Sequence, residues 1–185
     1  MANPDRPSGF RPVKTLSGAP WTGMIRSVGV TDAADIFLGD AISLVSNLGK
    51  VMATADLTML GVAQGFGKVD AASGQYAGAY NPDNLTTLYY DDSASTHTDW
   101  RVWYLPFDDM VFEVQSNADL DVAVGDIVDL VATAGSTATG RSAHEVSAGT
   151  TDFRVVEIPA YPDNDSTLTN TRYWVTALKT SLVWQ

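Results

Sequence analysis

The chain of 185 residues contains no cysteine, which excludes disulfide frameworks, thiolate zinc sites and cysteine nucleophiles together. Packing or assembly alone must hold the fold. Glutamate is scarce: of 22 acidic residues only Glu113, Glu145 and Glu157 are Glu, and few of the 11 bases are Lys. The long side chains that clothe helix surfaces are missing, while the abundant Asp, Thr and Ser suit turns and strands. Charged residues make up 18%, below the roughly 25% usual in globular proteins, but the 45% hydrophobic content is ordinary, so one sizeable core is expected. No apolar run reaches the roughly 18 residues of a membrane span. The N-terminus, with Pro4, Pro7, Pro12 and Pro20, lacks the apolar stretch of a signal peptide, so a soluble protein with no membrane partner is expected.

Charge is split along the chain. Residues 1–26 carry Arg6, Arg11, Lys14 and Arg26 against Asp5, a net +3, whereas the remainder has a net −14. An acidic body with no cluster of bases interleaved with aromatics argues against direct nucleic-acid binding. Residues 1–23 have proline or glycine every few positions and no regular period, and read as an extended N-terminal arm. Phe10, Leu16 and Trp21 are too large and apolar to stay in water, so the arm lies either on its own body or over a neighbouring subunit.

The body, 24–185, reads as strands separated by tight turns. Strands are expected around Ile36–Val45, with a Gly-Asp turn inside, and at 59–69, where three glycines suggest a bend or barrel corner. Residues 70–99 form a polar excursion interrupted at Leu85–Tyr90. Strands flank the turn Pro106–Asp109, residues 132–151 form a Thr/Ser/Ala/Gly-rich loop, and Phe153–Ile158 and Arg172–Trp184 close the chain. The frame D-x-x-[LV]-G-D-x-[IV]-x-L-V occurs at Asp35–Val45 and again at Asp121–Val131. Two copies are too few for a solenoid, and the frame is expected to mark two analogous corners of one sheet. The fold class is all-β, a compact β-barrel or β-sandwich with an extended N-terminal arm, the body being one barrel or two lobes divided near 115.

Sites of chemistry are sparse. His97 and His144 both fall in loops, and no Gly-x-Ser-x-Gly elbow accompanies them, so no catalytic residue is assigned. The carboxylates cluster as Asp32/Asp35/Asp40, Asp91/Asp92/Asp99, Asp108/Asp109 and Asp163/Asp165, without the spacing of a calcium loop; turn formation by Asp is the expected use, and no metal is assigned. The glycine-rich stretches Gly61–Gly67 and Gly135–Gly140 lack the lysine and helix of a phosphate cradle, so no cofactor is assigned. Trp21, Trp100, Trp103, Trp174 and Trp184 suit packing, or a sugar platform where several are exposed.

The opening Asn-Pro-Asp-Arg-Pro-Ser-Gly-Phe-Arg-Pro-Val with Ser-Gly-Ala-Pro-Trp, the Ile-Phe-Leu-Gly-Asp-Ala-Ile-Ser-Leu segment, Gly-Val-Ala-Gln-Gly-Phe, and Val-Phe-Glu-Val-Gln followed by Val-Gly-Asp resemble virion structural proteins of tailed bacteriophages, the capsid decoration or cement class. The resemblance covers most of the chain in short pieces. It implies a β-rich, non-enzymatic protein on the outer capsid surface, a homo-oligomer with a trimer favoured, whose partner is the major capsid protein. It also implies a gripping N-terminal segment, for which Arg6, Phe10, Arg11, Lys14, Leu16 and Trp21 are the expected capsid contacts. A carbohydrate- or receptor-binding β module of a phage tail or vertex is the alternative reading.

Overall fold

The structure, a computed structural model, describes residues 2–21, 25–31, 34–54, 56, 58–69, 76–77, 89–93 and 97–178. Apart from a single 3-10 turn at His97–Asp99, its regular elements are all strands, as the Asp- and Thr-rich composition expects. In the first half these are β1 (Arg11–Thr15), β2 (Arg26–Gly29), β3 (Ile36–Phe37), β4 (Ala41–Val45), β5 (Leu48–Val51), β6 (Met59–Val69), β7 (Tyr76–Ala77), β8 (Tyr89–Tyr90) and β9 (Trp100–Pro106). In the second they are β10 (Met110–Gln115), β11 (Ile127–Val131), β12 (Glu145–Ala148), β13 (Phe153–Glu157) and β14 (Arg172–Ala177).

One sheet runs β2-β9-β6-β4-β5, with β7 on the end of β6; a second runs β1-β10-β14-β13-β11-β12; β3 and β8 form a small third. Apart from β1 and β7, the two large sheets have the same strand order and the same order along the chain, so β2, β4, β5, β6 and β9 correspond to β10, β11, β12, β13 and β14. The correspondence holds to the residue. Arg26 pairs with Tyr104 and Ser27 with Trp103, as Phe112 pairs with Val175 and Glu113 with Trp174. The β6–β9 ladder shifts register between Ala63 and Gly65, and the β13–β14 ladder between Val155 and Glu157, so one bulge occurs twice. Each unit closes on itself through a parallel bridge, Val30 to Gly49 in the first and Ser116 to Val146 in the second. The Thr31 amide donates to Gly49 O at 3.0 Å, and the Asn117 amide to Val146 O at 3.1 Å.

The Gly-Asp frame therefore marks one corner in each of two sheets, not two corners of one sheet. Gly39 and Gly125 both take positive φ, +93° and +101°, at the turn. Asp40 Oδ2 accepts from the Phe37 amide and Asp126 Oδ2 from the Ala123 amide, each at 2.8 Å. The Gly39 amide donates to Ala63 O, and the Ala63 amide donates back to Asp40 O; Gly125, Val155 and Asp126 repeat that exchange. The two short polar side chains hold identical Asx-type turns.

Alternation sorts the core. Ile42, Ala63, Val102 and Tyr104 point into the first unit with Val28, Leu60 and Tyr90. Their neighbours Ala41, Val62 and Leu105 point the other way, into a larger cluster with Val128, Leu130, Val155, Tyr173 and Val175 of the second unit. The back of the first sheet thus closes over the second unit's interior, and both faces of β4, β6 and β9 are buried there.

Several expectations change. The segment read as an unpatterned arm contains β1, paired antiparallel with β10, and the loop at 132–151 contains β12. Within 70–99 the described strands are β7 and β8; Gly74, Gly78, Asn81–Asn84 and Leu85–Leu88 lie outside the described residues, as do 179–185, including Trp184. β14 has Tyr173, Val175 and Ala177 buried and Trp174, Thr176 and Leu178 half-buried. Phe10 is 1% exposed and sits among Phe107, Phe112 and Phe153, at ring-centroid distances of 6.1, 6.4 and 4.8 Å. It is a core residue of its own chain. Truncation by Phe10→Ala is expected to cost about 3–5 kcal/mol of stability, and Leu16→Ala less than about 0.5 kcal/mol; urea denaturation of both variants checks this, and equal midpoints would contradict it.

Candidate functional site

Two polar clusters among the described residues border a cavity or groove and are candidates for a site. The first is buried. Asp40, Ser142 and His144 are each 2% exposed or less and meet where the first Gly-Asp corner touches the long segment between β11 and β12. The backbone draws them there: the Leu38 amide donates to Gly140 O and the Ser142 amide to Leu38 O, both at 2.9 Å. His144 Nδ1 accepts from the Ala41 amide at 3.2 Å, which fixes the neutral tautomer with the proton on Nε2. Nε2 stands 3.5 Å from Asp40 Oδ1. The Ser142 hydroxyl accepts from the His144 amide at 3.0 Å.

A serine, a histidine and an aspartate in contact invite a hydrolytic reading, but the wiring is wrong for it. One imidazole nitrogen is committed to a backbone amide and the other faces the carboxylate, so neither can take a proton from Ser142. Asp40 and His144 also line an apolar cavity of about 380 Å³, together with Phe37, Val51, Met52, Ala132 and Ala134. Burial moves both groups toward their neutral forms. It pushes the Asp40 carboxyl up to about 7, against the opposing pull of the Ser142 hydroxyl and the Phe37 amide, and brings the His144 imidazole down to about 4. This trio locks the first corner to the second unit.

The second place is the outer face of the second sheet, on the side where the N-terminal segment lies. Register puts Arg11, Glu113, Trp174 and Glu157 in one cross-strand row on β1, β10, β14 and β13. Glu113 organises the row: Oε2 accepts from Trp174 Nε1 at 3.2 Å and from the Tyr161 hydroxyl at 3.0 Å, and Oε1 lies 3.9 Å from Arg11. Lys14 Nζ lies 4.4 Å from the centre of the Trp174 ring and 3.1 Å from Glu157 Oε2. Arg172 stacks 4.6 Å over Tyr161 and pairs with Asp163. Beside the row a polar groove of about 210 Å³ is lined by Arg6, Ser8, Arg11, Gln115, Asp163 and Arg172.

This face gathers three of the residues expected as contacts. Arg6 is exposed, its amide donating to Gln115 Oε1 at 3.2 Å; Arg11 is exposed; Lys14 is half-buried against Trp174. Leu16 is 49% exposed beyond the end of β1. Trp21 packs half-buried against the core, beside an apolar groove of about 230 Å³ with Leu105 and Met110. Phe10 faces inward and is not available. No linear spacing groups Glu113, Tyr161, Trp174 and Arg172; the one signal in the residues is Arg-x-Trp, which recurs at Arg101–Trp103 and Arg172–Trp174, at equivalent places in the two units. The His97 side chain lies outside the described residues. Among the described residues no three His, Asp or Glu side chains gather as a metal site. Such a face can bind charged and planar groups but holds no nucleophile with a partnered base.

Comparison with protein-family models, with curated proteins and with solved structures gives no match to this chain.

The buried pair yields a pH prediction. Between about pH 4 and 7 folded Asp40 holds a proton that the unfolded chain has lost, so its contribution to stability falls as pH rises. Between about pH 4 and 6.5 the unfolded chain protonates His144 while the folded one does not, so that contribution rises with pH. The two oppose across the shared window. Relative to the unsubstituted protein, Asp40→Asn should gain stability from pH 4.5 to 6.5 and His144→Gln should lose it, each by on the order of 1–2 kcal/mol. Urea midpoints against pH read this, and parallel profiles for all three proteins would refute it.

Proposed function

We propose that this chain is a non-enzymatic virion structural protein of a tailed bacteriophage, which binds the outer surface of the capsid through its major capsid protein and stabilises the shell as a decoration or cement protein. The observation that carries the proposal is the Arg6/Arg11/Lys14/Arg172 face: on a chain of net charge −11, it gathers bases around the half-buried Trp174 and exposed Tyr161 rings at the N-terminal flank. Glu113, Glu157 and Asp163 pair with Arg11, Lys14 and Arg172, so this face is close to neutral on a strongly acidic molecule and offers an acidic partner surface less repulsion than the rest of it. The resemblance of the N-terminal segment and the Gly-Asp strands to decoration proteins points the same way. A protein that binds only the assembled shell stabilises it in proportion to the logarithm of its concentration over its dissociation constant, without any chemical step.

The contact surface in this reading is Arg6, Arg11, Lys14, Leu16 and Trp21 together with Trp174 and Arg172, with Phe10 acting from inside as the anchor of the segment. A trimer on the capsid lattice is the favoured assembly. The carbohydrate-binding alternative draws on the same aromatics, but a sugar would have to displace Lys14 from Trp174 and Arg172 from Tyr161 before it could stack. Surface ion pairs contribute at most about 1 kcal/mol to stability, so Arg11→Glu combined with Lys14→Glu should fold normally. Its affinity for expanded capsids, measured by co-sedimentation, should fall at least tenfold; unchanged binding would remove this face from the contact.

A further inference from the structure

The second unit is completed by a strand that has no counterpart among the described residues of the first. β1 lies antiparallel along the outer edge of β10, opposite Val111 and Glu113, and the ladder continues with the Leu16 amide on Asp109 O at 2.7 Å. The counterpart edge in the first unit belongs to β2, where Ile25 and Ser27 occupy the places of Val111 and Glu113. Thr31 closes the first unit on Gly49, so alternation turns the N–H and C=O of Gly29, Ser27 and Ile25 away from β9. Gly29 is taken up by the closure. Among the described residues β2 pairs only with β9, and the outward backbone groups of Ile25 and Ser27 have no partner. Arg26 beside them is exposed.

We propose that Ile25–Val28 is a strand-addition site for an extended acidic segment of a partner protein. The equivalent edge in the other unit already carries such a strand, which shows that the geometry accepts one. Charge gives its sign. In the second unit the edge bears Glu113 and the added strand bears Arg11, 3.9 Å away; in the first the edge has Ser27 in that place and Arg26 exposed next to it, so the complement is acidic. The N-terminal strand of a second copy fits poorly, since Arg11 and Lys14 would be brought against Arg26 and β1 is already held on its own chain by the buried Phe10. Main-chain hydrogen bonds supply affinity in this mode, and alternate side chains supply selectivity. That the partner is the capsid shell rests on the function proposed above; the strand addition itself does not.

The test substitutes Ser27→Pro, which removes the outward N–H while leaving the bonds of Arg26 and Val28 to β9, at an edge where proline is tolerated. In the free protein, hydrogen exchange at Ile25 and Ser27 should run at least tenfold faster than at Val111 and Glu113; equal protection would mean the edge is already covered and would overturn the proposal. Fluorescence anisotropy then measures two labelled synthetic nonapeptides of alternating Val and Thr, one carrying Asp and one carrying Lys at the same positions. The acidic peptide should bind and the basic one should not, with Ser27→Pro weakening the acidic complex at least tenfold. Binding of neither peptide, or equal binding to both proteins, would overturn strand addition. Should Ser27→Pro fail to fold, Arg26→Glu replaces it and should invert the peptide preference; an unchanged preference would also overturn it. Co-sedimentation with expanded capsids separates the two readings. Acidic-peptide binding without capsid binding upholds the edge and removes the capsid role, whereas capsid binding that Ser27→Pro leaves untouched, with no peptide bound, does the reverse.

Discussion

The approach of Gly9 to the Gly39 corner leaves no room for a side chain. A Cβ on Gly9 would lie 2.3 Å from Gly39 O and 2.5 Å from the Ser142 side chain, and Gly9 itself has a φ of +67°. Three distant stretches of chain meet at this point: the N-terminal segment, the first Gly-Asp turn, and the long connection between β11 and β12. Once they meet, the Phe10 amide bonds Gly39 O at 2.9 Å and the Phe10 ring is carried into the second unit's interior. Asp40 and His144 are sealed beneath. Upstream, Asn3 fastens the segment again, its amide donating to Asp165 O and Thr169 O at 2.8 and 3.0 Å and its oxygen accepting from the Asp165 amide at 2.8 Å. Residues that read in the sequence as an extended arm are thereby a strap across both units of their own chain.

The same five-stranded unit occurs twice, and the differences between the copies locate what each is for. Phe112 and Phe153 fill the second interior, whereas their counterparts in the first are exposed Arg26 and Gly61, beside which a Cβ would lie 2.3 Å from Leu105 O. The turn aspartates diverge as well. Asp126 sits in an open corner, while Asp40 makes the same local hydrogen bonds but is buried by the segment ending at His144. One copy has spent its corner on assembly of the chain, and the other has kept its corner in water. The outer faces differ in the same sense: Ala41, Val62 and Leu105 on the first are apolar and covered, whereas Ile127, Arg154 and Thr176 on the second are exposed or half-exposed. Stacking of one unit on the next therefore stops after two.

Much of this was legible in the residues. The Asp- and Thr-rich composition points to turns and strands, and Asp40 and Asp126 do hold turns, as does Asp129, whose Oδ1 accepts from the Thr150, Thr151 and Asp152 amides. The Gly-Asp frame identifies two equivalent corners, but eleven residues are too few to tell one sheet from two. The longer signal is a gap-free alignment in which Pro20, Met24, Val28, Asp35, Gly39, Asp40, Leu44 and Val45 recur at Pro106, Met110, Val114, Asp121, Gly125, Asp126, Leu130 and Val131. β1 was hidden because Pro12 and a register shift between Pro12 and Lys14 break its alternation. Phe10 could not be assigned to the core from local pattern, since its three aromatic neighbours lie roughly a hundred residues or more away in sequence. The Glu113 row is likewise a product of pairing register between four strands, which no linear spacing records.

The physical picture is of a strapped, doubled β scaffold whose short polar side chains hold turns and whose N-terminal flank gathers paired charges around Trp174 and Tyr161, an arrangement suited to holding a surface. The proposed role is structural occupancy of a capsid shell, and the copy number in purified virions tests it most directly. Quantitative mass spectrometry of particles, with this chain measured against the major capsid protein, should find it in near-stoichiometric, capsid-wide amount. A count of about a dozen or fewer per particle, or absence from the particle, would contradict the account.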